Sequence, residues 1–171
     1  MESKRKLIIV PSDFTDVIEF AIDHAANICK MQDAKLILLH IINKDTKSLL
    51  KKEKTDLSEI KKRLEKKAIE TAKKYEISVD SMAEEGSIFS TIGQVTKEMQ
   101  ASMVVMGTHG KNGMQHITGS YALKVIETSP APVIVVQKRG FRKGYNKIVL
   151  PVDDTIESKQ KVKWAIHIAR K

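Results

Sequence analysis

Five short, mostly apolar runs, separated by segments with helical periodicity, are the feature that most constrains the fold of this chain. In chain order they cover residues 7–10, 36–42, 77–83, 103–106 and 133–137. Apolar strands that alternate with helices form a parallel sheet with helices on both faces. Because parallel crossovers are right-handed, the pattern predicts a doubly wound five-stranded α/β sheet of order 3-2-1-4-5.

The segments between these runs are predicted to be helices. They cover residues 16–31, a long charged helix that ends near Tyr75 after a loop, residues 88–99, and residues 119–128. In the charged segment, apolar residues keep helical spacing and lysines fill the other positions, at Leu57, Ile60, Leu64, Ala68 and Ala72. We therefore expect one buried stripe on this helix and one solvated, basic face.

A glycine-rich loop follows the fourth predicted strand, with glycines at 107, 110 and 113, and Gly119-Ser120 opens the next helix. Glycines let the backbone approach an anion, and the first turn of a helix points unpaired N–H groups at it. In a sheet of order 3-2-1-4-5, ligands bind beyond the carboxyl ends of strands 1 and 4. Residues 11–15 and 107–113 are therefore expected to line one phosphate-binding crevice.

The sequence also contains an internal repeat. Residues 8–15 recur as residues 148–155, and Phe20-Ala21-Ile22 recurs as Trp164-Ala165-Ile166. A period close to one domain length indicates a tandem duplication. We predict a first domain over 1–138, a linker over 139–146, and the first strand and helix of a second, incomplete repeat over 147–171. Such a unit either belongs to a longer chain or packs on the first domain or on a second subunit.

Composition and charge exclude several classes of function. The net charge is +9, but the basic cluster at residues 44–74 interleaves no aromatic side chains, and neither it nor the cluster at residues 138–147 carries a nucleic-acid-binding motif, so no nucleic-acid partner is predicted. No apolar run approaches the roughly 20 residues of a membrane helix, and the first run is too short for a signal peptide. We expect a cytoplasmic protein without a membrane partner. Cys29 is the only cysteine and is expected in the core.

The sequence contains no recognised catalytic or metal-binding motif. The chain has no P-loop, and no Gly-x-Gly-x-x-Gly motif follows the first strand. The five histidines show no metal-ligand spacing, and His40 is the one polar residue in the second apolar run. Since fast phosphoryl transfer needs metal ligands and a positioned base or water, the sequence predicts at most slow ATP hydrolysis and no catalytic residues.

Over residues 6–137 the chain resembles the universal stress protein family. The resemblance rests on Val10-Pro11-Ser12-Asp13 after strand 1, on residues 106–110 after strand 4 and on Gly119-Ser120. It implies a Rossmann-like fold that binds adenine nucleotide, with ATP and Mg²⁺ as the expected ligands. Tandem members are common in the family, which suits the repeat.

ATP-binding members of that family share the pattern Gly, two residues, Gly, nine residues, Gly, then Ser or Thr. Gly107, Gly110, Gly119 and Ser120 match it, but residues 111–118 form a spacer of eight residues, one short. One residue less rotates later helical side chains by about 100°. If the loop around Gly113 compensates for the missing residue, the phosphate site is preserved; if it does not, the site is lost.

The resemblance implies a nucleotide site of eight residues, which are Pro11, Asp13, Ile41, Met106, Gly107, Gly110, Gly119 and Ser120. Asp13 would accept hydrogen bonds from the adenosine, Ile41 would flank adenine, the glycines would offer N–H groups to phosphates, and Ser120 would add its hydroxyl. Each also has a structural interpretation. Asp13 fits a helix N-cap, Ile41 fits the core, and the glycines fit a tight strand-to-helix connection.

Three functions remain open at this stage. The first is a stress-response module that binds ATP or a related adenine nucleotide. The second is a scaffold that binds no nucleotide and self-associates, through the last strand at residues 133–136 or with the second repeat, most simply as a homodimer. The third is an enzyme that transfers adenylyl groups or cleaves ATP to pyrophosphate, which is disfavoured because no Ser-Gly-Gly loop follows strand 1.

Overall fold

The computed structural model describes residues 6–108, 120–141, 144, 145 and 147–169. The predictions for His109, Gly110, Gly113 and Gly119 lie outside these residues. The chain divides into two compact units, residues 1–140 and residues 141–171, and each is described by itself.

The first unit is built on a five-stranded sheet with the predicted order. Its strands are β1 Leu7–Pro11, β2 Lys35–Ile42, β3 Val79–Glu85, β4 Met103–Gly107 and β5 Val133–Val136. The order is β3-β2-β1-β4-β5, and every neighbouring pair is parallel. In the register, Ile8 lies opposite Leu36 of β2 and Met103 of β4, so β1 is the central strand. The predicted doubly wound α/β fold is confirmed.

Helices cover both faces of the sheet. They are α1 Asp16–Gln32, α2 Lys44–Glu53, α3 Leu57–Tyr75, α4 Ile88–Glu98 and α5 Ser120–Thr128. The apolar residues of α1 and α3 pack on one face with Ile8 and Val10. Those of α4 and α5 pack on the other face with Ile9 and Val104. Successive residues of β1 thus enter opposite cores, which is why that run carries no polar side chain.

The prediction for the charged segment after β2 was partly wrong. The stretch predicted as a loop contains α2, which begins where the Asn43 side chain accepts a hydrogen bond from the Thr46 N–H, with an N···O distance of 2.9 Å. Helix α3 buries Ile60 and Leu64 as predicted, whereas Leu57 is 41% exposed. Helix α2 was missed because it buries little apolar surface, so its capping signal had no periodic apolar run to support it.

The single cysteine lies in the core, as predicted. Cys29 is 1% exposed, and burial raises the pKa of its thiol from 9.0 to about 12. We expect a thiol reagent at pH 8 to leave the native protein unlabelled and to label one thiol per chain after denaturation. Between about pH 9 and pH 12 only the unfolded thiol ionises, so the free energy of unfolding should fall across that range. Rapid labelling of the native protein would contradict this placement.

The second unit contains one helix, α6 Ile156–Ala169, among its described residues. The strand predicted at the start of the second repeat was wrong, because residues 147–155 form neither helix nor strand. A strand exists only when it is hydrogen-bonded to a neighbour, and the sequence pattern alone cannot supply one.

The local structure before α6 nevertheless repeats that before α1. The Thr155 N–H and hydroxyl donate to Asp153 Oδ1, with heavy-atom distances of 3.0 and 2.5 Å. The Thr15 N–H and hydroxyl donate to Asp13 Oδ1 in the same way, at 3.1 and 2.6 Å. In both places the helix begins one residue after the threonine. The sequence repeat is therefore also a repeat of one turn, and the tandem duplication itself stays a prediction.

Candidate functional site

The carboxyl ends of β1 and β4 lie at one edge of the sheet. Strand β1 pairs with β4 on one side and with β2 on the other. The chain therefore leaves the central strand toward β2 and later returns to its other side, which is the topological switch point where open α/β sheets bind ligands. Residues 11–15 and Gly107 thus lie at the same edge, as the sequence predicts.

Gly107 is the last residue of β4, and its surroundings leave no room for a side chain. A Cβ built at this position would lie 2.6 Å from Val17 Cγ1 and 3.4 Å from Val17 Cβ, both on α1. The neighbouring Thr108 N–H donates to Val136 O, 3.0 Å away, and extends the β4–β5 pairing. Gly107 is therefore required by its packing against α1, whether or not it also contacts a ligand, and the tight strand-to-helix connection stays a prediction.

Asp13 lies in the loop between β1 and α1 and is half-buried. Its Oδ1 accepts both hydrogen bonds from Thr15. The N-cap position of α1 is occupied by Thr15, so the N-cap interpretation of Asp13 is wrong by two residues. Oδ2 makes no hydrogen bond to any described residue, which leaves a carboxylate oxygen able to accept from a ligand hydroxyl.

Ile41 and Met106 belong to the core by their side chains. Both are buried in the cluster that contains Ile9 and Val104. The Ile41 carbonyl accepts from the Thr46 hydroxyl, with an O···O distance of 3.2 Å. Pro11 ends β1 opposite Leu39. Any contact of Ile41 or Met106 with a ligand would therefore come from the backbone.

Ser120 begins α5, one residue after the predicted helix start at Gly119. Ser120 therefore lies in the first turn of α5, which is the part of a helix that binds anions. Gly110 and Gly119 lie outside the described residues.

Ser12 and Phe14 lie in the segment expected to line the crevice but were not among the eight predicted nucleotide-site residues, and both are unusual. Ser12 is 5% exposed, and its Oγ has no hydrogen-bond partner among the described residues. Phe14 has a φ of 59°, in the left-handed region that a bulky side chain rarely adopts. A buried, unpaired hydroxyl and a strained backbone each cost about 1–3 kcal/mol, and such features cluster at functional sites. No sequence signal encodes either one.

A cavity of about 260 Å³ adjoins this loop between α1 and α3. The uncharged part of this cavity is lined by Ser12, Phe14 and Ile18. Charged side chains form the remainder, namely Glu19, Arg63, Lys66, Lys67 and Glu70. An ion pair joins Lys67 to Glu19, and Arg63 pairs with Glu53 and Glu59. The charges around this cavity are thus largely neutralised by one another.

His40 is the third residue that the sequence left without a role. It is buried in β2, with Nδ1 lying 2.7 Å from Ser12 O and Nε2 lying 3.1 Å from Thr46 Oγ1. Its ring centroid is 4.8 Å from that of Phe14. The signal that could have identified it is its position as the only polar side chain inside the second apolar run.

The described residues contain no cluster of three or more histidine, cysteine, aspartate or glutamate side chains that could hold a metal ion. None of the described helices is both long enough and apolar enough to span a membrane.

Comparison with known proteins agrees with this fold. The model of the universal stress protein family matches residues 4–137. Universal stress protein MJ0531 of Methanocaldococcus jannaschii is 31% identical over 144 residues, which is 80% of this chain and 85% of that protein. Two solved structures share the fold at lower identity. A universal stress protein in complex with cAMP has a TM-score of 0.61 at 21% identity, covering 80% of this chain and all of that one. The universal stress protein from Archaeoglobus fulgidus in complex with dAMP has a TM-score of 0.56 at 17% identity, covering 77% and 96%.

Proposed function

This chain belongs to the universal stress protein family, and from that premise we propose that it is a cytoplasmic stress-response module that binds ATP or a related adenine nucleotide where β1 and β4 end. The observation that carries the proposal is the placement of Asp13 and Gly107 at one edge of the sheet, with Asp13 Oδ2 unbonded to any described residue. Two proteins of the same fold have been solved with the adenine nucleotides cAMP and dAMP.

The chemistry of each group suggests an orientation for the nucleotide. A carboxylate oxygen accepts hydrogen bonds well from the two hydroxyls of a ribose, so Asp13 would hold the sugar. The phosphates would lie toward Gly107 and the N-terminus of α5, where the helix dipole favours negative charge. Gly110, Gly119 and Ser120 would complete this phosphate site, and Mg²⁺ would enter bound to the phosphates. Adenine would lie near Pro11 and the backbone of Ile41.

Calorimetric titration with ATP and Mg²⁺ tests this function, after any nucleotide that co-purifies has been removed. We expect a dissociation constant of about 1–100 μM, which corresponds to about −8 to −5.5 kcal/mol. Absence of binding at millimolar ATP, in a sample whose circular dichroism shows a folded α/β protein, would overturn the proposal. Parallel titrations with cAMP, ADP and GTP would identify the preferred ligand.

A second candidate function is a self-associating scaffold, and one surface favours it. Strand β5 is the outer strand of the sheet and its residues 133–135 are only half-buried. On the adjacent α5, Leu123 is 56% exposed and Ile126 is 44% exposed. An outer strand offers backbone groups for pairing with a second chain, so a homodimer through β5, or pairing with the second repeat, would cover this surface. Light scattering would test it, and a strictly monomeric protein would count against a homodimer.

A further inference from the structure

We propose that His40 is a positioning residue that holds Asp13 in its ligand-binding geometry and links it to α2. This inference rests on the proposed nucleotide site. His40 is 6% exposed, inside a strand whose other members are apolar apart from Lys35 at its start. It contacts both residues that flank Asp13 in the chain, Ser12 and Phe14.

The contact with Ser12 fixes the backbone that leads into Asp13. A carbonyl oxygen only accepts hydrogen bonds, so His40 Nδ1 must carry the proton that it donates to Ser12 O across 2.7 Å. The Ser12 N–H donates to Leu39 O, also at 2.7 Å. Residues of β2 therefore hold Ser12 through both its N–H and its C=O, and these two bonds set the direction in which the chain leaves β1.

The contact with Phe14 stabilises a backbone conformation that is costly by itself. A left-handed φ on a non-glycine residue is sterically unfavourable, and Phe14 has a φ of 59°. The imidazole and phenyl rings lie 4.8 Å apart at an interplanar angle of 34°. This packing favours the conformation in which the chain turns after Asp13 toward α1.

The third contact connects the Asp13 loop to α2. On its other side the ring is within hydrogen-bond distance of that helix, since Nε2 lies 3.1 Å from Thr46 Oγ1. Thr46 is in the first turn of α2, and the next residue, Lys47, forms an ion pair with Glu85 at the end of β3. A displacement of α2 would therefore move the ring that holds the loop.

Two substitutions separate the contacts of the ring. In His40→Asn the amide nitrogen lies near the position of Nδ1 and can still donate to Ser12 O, but the side chain cannot reach Thr46. In His40→Gln the longer side chain reaches Thr46 and leaves Ser12 O without a donor. Both replacements are polar, uncharged and without an aromatic ring, so each is the control for the other.

Because both variants lose the ring contact with Phe14, we expect both to bind ATP more weakly than the parent. His40→Gln should bind about five- to tenfold more weakly than His40→Asn, since a hydrogen bond contributes about 1 kcal/mol or slightly more. Equal affinities of the two variants would overturn the inference. A histidine that merely stabilised the fold would give equal losses of affinity, together with equal losses of stability.

Hydrogen exchange in the ATP-free protein gives a second, independent readout. The Thr15 N–H donates to Asp13 Oδ1. Because both variants lose the ring contact with Phe14, this N–H should exchange faster than in the parent in both, and about fivefold or more faster in His40→Gln than in His40→Asn. If the parent protein does not bind ATP, the proposed function fails, but this comparison still decides whether His40 orders the loop. If either variant fails to fold, Phe14→Gly replaces it, because glycine accepts the positive φ while removing the ring contact. Unchanged Thr15 exchange in Phe14→Gly would also overturn the inference.

Discussion

Gly107→Ala should abolish measurable ATP binding and lower the free energy of unfolding by about 1–3 kcal/mol. The new methyl group would lie 2.6 Å from Val17 Cγ1, well inside the contact distance of two carbon atoms. Val17 is buried in α1, and a β-branched side chain has one strongly preferred rotamer in a helix. The clash must therefore shift α1 or β4 at the edge where the nucleotide is proposed to bind. Calorimetry measures the affinity, and urea denaturation measures the stability.

A second substitution separates the loss of stability from the loss of ATP binding. Val17→Ala removes the atom that clashes, so the double variant Gly107→Ala with Val17→Ala should recover much of the lost stability. We expect it still not to bind ATP, because the methyl group would block the approach of a phosphate to the backbone. Val17→Ala alone should bind ATP and be less stable than its parent. A double variant that binds like the parent would show that Gly107 serves packing alone.

The order of the sheet could be predicted because the central strands can be recognised in the sequence by their composition. The residues of β1 alternate between two cores, so the run is apolar throughout, and only a strand buried on both faces needs that composition. The edge strand β3 is polar at Asp80, Glu84 and Glu85, and the predicted strand began two residues too early. A strand with only one apolar face gives a weaker sequence pattern than a central strand. In addition, α3 ends at Glu76, which has a φ of 54°, shortly before β3 begins.

The location of the candidate site could be predicted, but its internal contacts could not. Asp13 and Gly107 each follow a strand, and topology alone brings the ends of neighbouring parallel strands together. The contact of His40 with Ser12 joins residues 28 apart in the chain. The left-handed Phe14 and the unpaired Ser12 hydroxyl arise from packing that no local pattern specifies. Even the local prediction for Asp13 was wrong by two residues, because Thr15, which also belongs to the residue types preferred at the N-cap, occupies that position.

Asp13→Ala should weaken ATP binding by about 10- to 150-fold, which corresponds to about 1.5–3 kcal/mol for hydrogen bonds to a charged acceptor. The substitution also removes the two bonds from Thr15, so a loss of affinity could arise from the turn alone. The chain supplies a matched control in Asp153→Ala, since Asp153 accepts the same two bonds from Thr155 before α6. Calorimetry should show an unchanged ATP affinity for Asp153→Ala.

Both changes should cost little stability, because the hydrogen bonds of each turn are local and contribute about 1 kcal/mol or less each at partly exposed positions. Asp153→Ala should cost slightly more, since Asp153 Oδ1 also accepts from the Ser158 hydroxyl. Only the change at the switch point should also remove affinity, because Asp13 follows the central strand β1, which pairs with the strand that ends at Gly107. If both variants bind ATP like the parent, Asp13 has no part in the site, and the repeated turn in the two units would reflect how a helix is started rather than how a nucleotide is held.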